Sequence, residues 1–326
     1  MYVSWMKFHH FFDNFKNDTR KIAITYLHYF VDVYIIYGIN SNIYLIKRTF
    51  MTAENFFAVV DPTTNNHVAL ERAITTAQLM DIQPKMCVFV AVDAGNADTS
   101  ISNTNITRNT SWFEEKIHNP LKKARLEYQI EISWAEHWQK AVIQSANAFN
   151  ASRILVPANK PASNRRLYFS EFEWKLLKRA FCPVVLVRAG GSRQRKVVLA
   201  AVNFQARRPR QKDLNKSILT KGRQLASSYD AQFHVINAYM DSMSYPDRGI
   251  LARETKLKSN QIHVIQGYTD EAVAKVACEL SADVVVVGTL GQSGQVKNLR
   301  GNTVERVISA LDIDVVIVNS EQPEAS

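Results

Sequence analysis

The chain has 326 residues, enough for two ordinary domains, and its apolar share of 46% can supply a sizeable core. The formal net charge of +10 leaves anionic partners open and excludes no fold. The three cysteines, Cys87, Cys182 and Cys278, are odd in number and contain no CxxC pair, which argues against a disulfide framework and fits a reducing cytoplasm.

The first fifty residues differ in composition from the rest and contain a single glycine. The stretch IAITYLHYFVDVYIIYGI, residues 22–39, is about long enough for a marginal membrane span. However, Asp32 in its middle would cost roughly 2.5–3.5 kcal/mol on insertion. Met51 opens MTAENFFAVVDP, which resembles an ordinary protein start. We therefore predict that residues 1–50 are an extension with no part in the fold; a membrane or interfacial anchor is the alternative.

From Met51 onward the chain alternates strand-like and helix-like segments, and it does so twice. FFAVVDP (56–62) resembles KVVLAAVN (196–203), and CPVVLVRA (182–189) resembles DIDVVIVNS (312–320). Short Val/Ile/Ala runs with little alternation are typical of strands buried on both faces of a parallel sheet. Helical patterns between such runs indicate right-handed βαβ units in a doubly wound α/β sheet.

This repeat predicts two tandem α/β domains, residues 51–190 and 196–322. They meet at GGSRQR (190–195), which has no apolar residue. A basic stretch follows from Arg188 to Arg223, with eleven Lys or Arg and one acid. A nucleic-acid patch would have this composition, but Phe204 is its single aromatic residue. A solvated linker and an exposed helix face are favoured instead.

The stretch GTLGQSGQVKNLRGNT, residues 288–303, follows the apolar run DVVVV. In an open parallel sheet, ligands bind at the carboxyl ends of the strands. Asn302 can cap the following helix, with Glu305 completing a capping box. The motif is neither a Walker loop nor GxGxxG. A capped turn without a ligand remains an equal alternative. Glycines let the backbone approach a phosphate closely; here they are Gly288, Gly291, Gly294 and Gly301.

We predict no catalytic or metal-ligating residue. The histidines form no HxxxH pattern or Cys/His cluster. His137 reads as a solvated loop residue, and Cys182 as a small core residue. No nucleophile-elbow spacing is present.

The spacing Gly288-x2-Gly291-x9-Gly301, followed by Asn302-Thr303, resembles the nucleotide-binding signature of the universal stress protein family. The resemblance covers nearly all of residues 51–326 and extends to the tandem arrangement of its two-domain members. It implies two Rossmann-like, adenine nucleotide alpha hydrolase-like domains, each with a five-stranded parallel sheet. It also implies ATP or another adenine nucleotide at the strand ends, with phosphates held by Gly288, Gly291, Gly294, Gly301, Asn302 and Thr303.

The same resemblance assigns the remainder of the nucleotide site. Val235 or Ile236, taken as the end of the second strand, would offer backbone groups to the adenine. The family has Asp at the end of the first strand, where this chain has Asn203. Asparagine keeps hydrogen-bonding capacity but loses the charge.

The first domain has the aspartate that the second domain lacks, but it lacks the glycine-rich loop. It keeps Asp61, but its loop region ILVPANKPASNRRLYFSEFEWKLL (154–177) contains no glycine. Pro157 and Pro161 lack the N–H groups that would bind a phosphate. Arg165 and Arg166 could meet an anion by charge, although solvated surface is favoured. We therefore predict that this domain is degenerate and structural.

The resemblance implies a cytoplasmic stress-response protein without catalytic activity that binds an adenine nucleotide in its second domain. A nucleotide-independent interaction scaffold and a slow ATPase are the alternatives. Strands DVVIVN (314–319) and PVVLVR (183–188) are candidates for a pseudo-twofold contact inside the chain. A homodimer is plausible; nucleic-acid and membrane partners are not predicted.

Overall fold

A computed structural model of the chain describes residues 21–27, 30–39, 42–51, 53–93, 110–135, 138–158, 176–191, 194–290 and 303–319. The chain divides into two compact units, Met1–Ala53 and Glu54–Ser326.

The first unit contains an antiparallel three-stranded meander that the sequence analysis did not predict. Its strands are β1 (Lys21–Leu27), β2 (Phe30–Ile39) and β3 (Asn42–Met51). These segments are rich in Ile, Val and Tyr, which favour strands. That residues 1–50 take no part in the α/β fold stays a prediction. Among the described residues, every helix is too short or too polar to cross a membrane.

The second unit is built on ten strands, and the predicted α/β class with parallel strands is confirmed. In the first half they are β4 (Asn55–Val60), β5 (Lys85–Asp93), β6 (Tyr128–Ala135), β7 (Arg153–Pro157) and β8 (Val184–Val187). In the second half they are β9 (Val197–Val202), β10 (Gln232–Tyr239), β11 (Ile262–Gln266), β12 (Val284–Thr289) and β13 (Asp314–Asn319).

Each half contributes the five parallel strands expected of it, and the two sets of strands join edge to edge in one sheet. The order is β11-β10-β9-β12-β13-β8-β7-β4-β5-β6. All neighbours are parallel except β13 and β8, which pair antiparallel with Val316 opposite Val185. These are the two segments named as candidates for a pseudo-twofold contact. The boundary at 190–195 and a homodimer of the whole chain stay predictions.

Helices cover both faces of the sheet, as strands buried on both sides require. Neighbouring residues within one strand therefore enter different cores: Phe56 belongs to one apolar cluster and Phe57 to the other. The helices include α1 (Val68–Gln78), α2 (Thr110–Phe113), α3 (Asn119–Lys123), α4 (Trp138–Ala148), α5 (Pro209–Tyr229), α6 (Arg248–Thr255), α7 (Thr269–Glu279) and α8 (Thr303–Ser309). A π-helical segment, Glu114–His118, links α2 to α3.

A buried ionic cluster ties the two halves of the sheet together around Asp314, at the start of β13. Its Oδ2 lies 2.9 Å from Arg72 Nε of α1 and 2.7 Å from a terminal guanidinium nitrogen of Arg195. The backbone N–H of Arg188 donates to its Oδ1 at 2.9 Å. Nearby, the hydroxyls of Thr76 and Tyr229 lie 2.6 Å apart. One carboxylate therefore links residues that are more than a hundred positions apart.

A histidine pair joins β10 to the edge strand β11. His234 Nδ1 lies 3.2 Å from His263 Nε2. Burial lowers the pKa of both rings, and the charge of His234 lowers the pKa of His263 further, against the opposing effect of Glu279. Each ring is therefore held in its neutral form, because a proton on either one would be both desolvated and close to the other.

This pair predicts a loss of stability in mild acid. Unfolded histidines take up protons near pH 6.5, and the folded pair does so at lower pH. The contribution of the pair is therefore complete above about pH 6.5 and declines as the pH falls through that value. Urea unfolding between about pH 5 and 8 measures it. The variant His263→Gln should show a shallower decline, and an identical pH dependence in both proteins would contradict this role.

Candidate functional site

The candidate site lies where the strand order of the second half reverses. From β9 the chain passes to β10 and β11 on one side, and β12 and β13 lie on the other. The ladder between β9 and β12 runs from Val198–Val284 to Ala200–Val286. Both strands continue beyond those pairs, to Val202 and Thr289. The backbones therefore part at their carboxyl ends, and such switch-point crevices are where open α/β sheets bind ligands.

Two asparagine side chains shape the β9 side of this crevice. Asn215, on the buried side of α5, donates to the carbonyl of Asn203 at 2.8 Å and accepts from its N–H at 3.1 Å. Asn237, which is 0% exposed in β10, accepts from the N–H of Phe204 at 2.8 Å and donates to Gln205 Oε1 at 2.9 Å. The turn after β9 is thus fixed on both sides by side-chain hydrogen bonds.

Sequence reasoning missed Asn215, Asn237 and Gln205 as contributors to this turn. A signal was present for Asn237, because it interrupts the apolar strand QFHVINAY with a polar group that must find partners when buried. Asn215 gave no such signal, because its buried position becomes apparent only once α5 is packed on the sheet.

Asn203 is exposed directly after β9, as the predicted location requires. Val235 is not where the sequence analysis placed it. It lies in the interior of β10, fully buried and paired with Ala200 and Ile262 in the two ladders. The strand runs four residues further, to Tyr239, so Asn237 and Ala238 are nearer its end. The position was misplaced because a continuous apolar run does not mark where a strand stops.

Gly288 lies within β12, and its lack of a side chain has a packing reason. A Cβ atom at this position would lie 2.7 Å from Leu214 Cγ and 2.7 Å from Ile218 Cδ1, both on α5. Real Cβ atoms do not approach other atoms so closely, so α5 can rest on β12 only where glycine stands. The close approach that the structure shows at Gly288 is to a helix, and a role of this glycine in holding a phosphate stays a prediction.

Gly291, Gly294, Gly301 and Asn302 lie outside the described residues. Thr303 is the first residue of α8 and is partly buried. In the first turn of α8, burial raises the pKa of Glu305, and the charge of Lys178 opposes that shift.

The corresponding ends of the first half are organised differently. Asp61 follows β4 and accepts from the N–H and hydroxyl of Thr63 at 2.8 and 2.6 Å, which forms a local turn. Pro157 ends β7 opposite Val187, so it is part of the ladder. Pro161, Arg165 and Arg166 lie outside the described residues.

The basic stretch between the halves splits into buried and exposed parts. Arg188 and Arg195 are buried, whereas Arg207, Arg208 and Arg210 are exposed at the start of α5. The described residues contain no group of three or more His, Cys, Asp or Glu side chains that could hold a metal ion. His137 is not among them. Burial raises the pKa of Cys87 to about 11 and that of Cys182 to about 12, so both stay thiols at neutral pH.

Comparison with known proteins agrees with this geometry. Residues 211–319 match the model of the universal stress protein family. The chain is 24% identical over 303 residues to universal stress protein E of Escherichia coli. The aligned region covers 82% of this chain and 95% of that protein. A homologue of universal stress protein E from Haemophilus influenzae is 22% identical over 300 residues, and the aligned region covers 82% of this chain and 97% of the homologue.

Solved structures share the fold. A universal stress protein from Pseudomonas aeruginosa superposes with a TM-score of 0.65 at 22% identity, over 82% of this chain and 93% of that one. A universal stress protein from Archaeoglobus fulgidus superposes with a TM-score of 0.63 at 14% identity, over 81% of this chain and 96% of that one. Both likenesses span the two halves of the sheet, so the tandem α/β architecture is shared along almost the whole length of those proteins.

Proposed function

We propose that this chain is a universal stress protein with the layout of universal stress protein E, and that its second half binds an adenine nucleotide; the match of residues 211–319 to the family and the similarity along 82% of the chain support the first part. The observation that carries this proposal is the crevice between the parting ends of β9 and β12. The glycine-rich segment 288–303 starts at that point and leads into α8. Backbone N–H groups of Gly291, Gly294 and Gly301 would hold phosphates, with Asn302 and Thr303 beside them.

The other side of the crevice would take the nucleoside. Asn203 is exposed there, and Asn215 holds its backbone in place through two hydrogen bonds. Its amide can accept from or donate to a ribose hydroxyl. A carboxylate would accept more strongly from two hydroxyls, so the present residue favours moderate affinity.

The proposed role is that of a cytoplasmic stress-response protein without catalytic activity, in which nucleotide occupancy is transmitted through the packing of the two halves. The buried Asp314 cluster supplies a rigid connection between those halves. No general base is assigned at the crevice, so any hydrolysis of ATP would be slow.

A second candidate function is docking of a partner protein without nucleotide. The observation that favours it is a set of exposed apolar side chains following β10 and β11, of which Met243 is 99% exposed. The set comprises Met240, Met243, Tyr245, Ile250 and Tyr268.

Calorimetric titration with ATP tests the proposed nucleotide binding. The residue to change is Asn203, which stands where the family pattern has aspartate. The variant Asn203→Asp restores the carboxylate and is expected to bind ATP about tenfold more tightly, equivalent to one charge-assisted hydrogen bond. Asp61→Asn makes the reverse change in the first half and is the matched control, with no expected effect. Equal affinities in all three proteins would remove Asn203 from the site, and an absence of binding in all three would favour the docking role.

A further inference from the structure

A cavity of about 350 Å³ lies in the first half of the protein and shares no residue with the nucleotide crevice. Its walls are formed by α1, by the region of α3 and by the segment Val187–Gly191 that follows β8. This volume is within the range of pockets that bind small molecules. The proposed nucleotide binding leaves this half of the chain without a ligand, so the cavity calls for a separate explanation.

Part of the lining is apolar and can receive a hydrocarbon group. The apolar side chains here are short or branched, which leaves space between α1 and α3. Val187 and Ala124 are the buried members of this set, at 2% and 7% exposed. Transfer of a ligand side chain from water onto such a surface is favourable. The apolar lining residues are Val68, Ile74, Pro120, Ala124 and Val187.

Two exposed side chains of opposite charge lie on different walls of the cavity. Glu71 belongs to α1 and Lys123 to α3. Within the part of the chain that the structure describes, neither side chain forms an ion pair or a hydrogen bond. The neighbouring Lys122, by contrast, lies 3.4 Å from Glu114. Glu71 and Lys123 are therefore available to a ligand that enters from solvent.

Two arginines also line the cavity, but both are already engaged in holding the structure together. Arg72 Nε lies 2.9 Å from Asp314, and a terminal nitrogen of Arg188 donates to the carbonyl of Ile308 at 3.2 Å. Both arginines are buried, whereas Glu71 is exposed. We therefore assign the recognition of charge to Glu71 and its counterpart on α3, and none of it to the arginines.

We propose that this cavity binds a small zwitterion with an apolar body, namely an α-amino acid with a large apolar side chain such as phenylalanine. Its ammonium group would pair with Glu71, its carboxylate with Lys123, and its side chain would lie on the apolar lining. A ligand of a single charge sign would leave one of these two groups facing its own sign. The long, flexible stem of Lys123 lets its ammonium group reach a carboxylate within the cavity.

Calorimetric titration of the full chain with L-phenylalanine at pH 7, without nucleotide, tests the proposal. We expect a saturable heat with a dissociation constant of about 1 mM, a strength within reach of so small a ligand. N-acetylphenylalanine lacks the ammonium charge and phenylalanine amide lacks the carboxylate. Each should bind about tenfold more weakly, because one charge-assisted contact is lost. No saturable heat with phenylalanine, or equal binding of the three compounds, would overturn the proposal.

Two variants of exposed residues assign each charge to its partner. Glu71→Gln should weaken the binding of phenylalanine about tenfold and leave that of N-acetylphenylalanine unchanged. Lys123→Met should also weaken phenylalanine about tenfold, and it should leave phenylalanine amide unchanged. The matched controls are Glu127→Gln and Lys122→Met, because these side chains form exposed ion pairs and do not line the cavity. If the cavity variants bind phenylalanine as tightly as the controls do, the assignment is wrong.

A heavy-atom ligand locates the site without any variant. Crystals of the full chain soaked in L-4-bromophenylalanine should show an anomalous bromine peak between α1 and α3, against the apolar lining. Peaks confined to other places, or no peak, would contradict the proposal. Failure of the protein to bind ATP would leave this result unchanged, because the cavity and the nucleotide crevice share no residue.

Discussion

Replacing Asp314 by asparagine is expected to lower the free energy of unfolding by about 3–5 kcal/mol, the cost of breaking a buried ion pair from one side. The carboxylate is fully buried and meets Arg72 and Arg195 at 2.9 and 2.7 Å. Asparagine has almost the same volume, so packing is preserved while the charge is lost. Two buried guanidinium groups would then lose the carboxylate that they share, and these groups cannot lose their protons.

Urea unfolding measures this loss, and a surface pair supplies the comparison. Asp213→Asn removes an exposed carboxylate 3.4 Å from Lys216 and should cost less than about 1 kcal/mol. If Asp314→Asn were as mild as Asp213→Asn, the cluster would not hold the halves together. A large loss would support the view that the single ten-stranded sheet depends on polar contacts at its centre as well as on the strand pair β8–β13.

Replacing Gly288 by alanine is expected to destabilise the protein by about 1–3 kcal/mol through overpacking. The added Cβ would lie 2.7 Å from Leu214 Cγ, an atom near the helix backbone that cannot easily swing away. Either α5 or β12 would have to move. Because both border the crevice, the affinity for nucleotide should fall as well.

A double-mutant cycle separates packing from a direct role of Gly288 in binding. Leu214→Ala alone should cost about 2–5 kcal/mol because it opens a cavity in the core. Combined with Gly288→Ala, the total loss should be smaller than the sum, since the new methyl group fills part of that space. Additive losses would show that Leu214 does not limit the space at Gly288.

The sequence predicts the α/β class well, because each buried strand is a separate Val- or Ile-rich run. The family resemblance adds segments 183–188 and 314–319 as candidate partners, since terminal strands often pair the domains in that family, and the structure pairs them. The residue pattern alone does not reveal this pairing, because a five-stranded half has the same pattern whether or not its last strand is paired. The strands within residues 21–51 were missed because the apparent protein start at Met51 favours an extension outside the fold.

The candidate site was predicted less completely. Glycine spacing identifies the loop, and the structure adds a second reason for Gly288 in the packing of α5. Val235 was misplaced because strand ends are not visible in an apolar run. Asn215, Asn237 and Asp314 act through partners on other elements, and a single sequence does not reveal which distant groups a buried polar side chain will meet.

The identity of the small molecule that leaves the purified protein on denaturation tests the central claim most directly. The full chain and its Gly291→Val variant would be purified without added nucleotide, denatured, and analysed by mass spectrometry. We expect an adenine nucleotide to be released from the unaltered protein and to be absent from the variant, whose side chain would block the approach of a phosphate to the backbone. Equal release from both, or no nucleotide in the unaltered protein together with no heat on ATP titration, would contradict it.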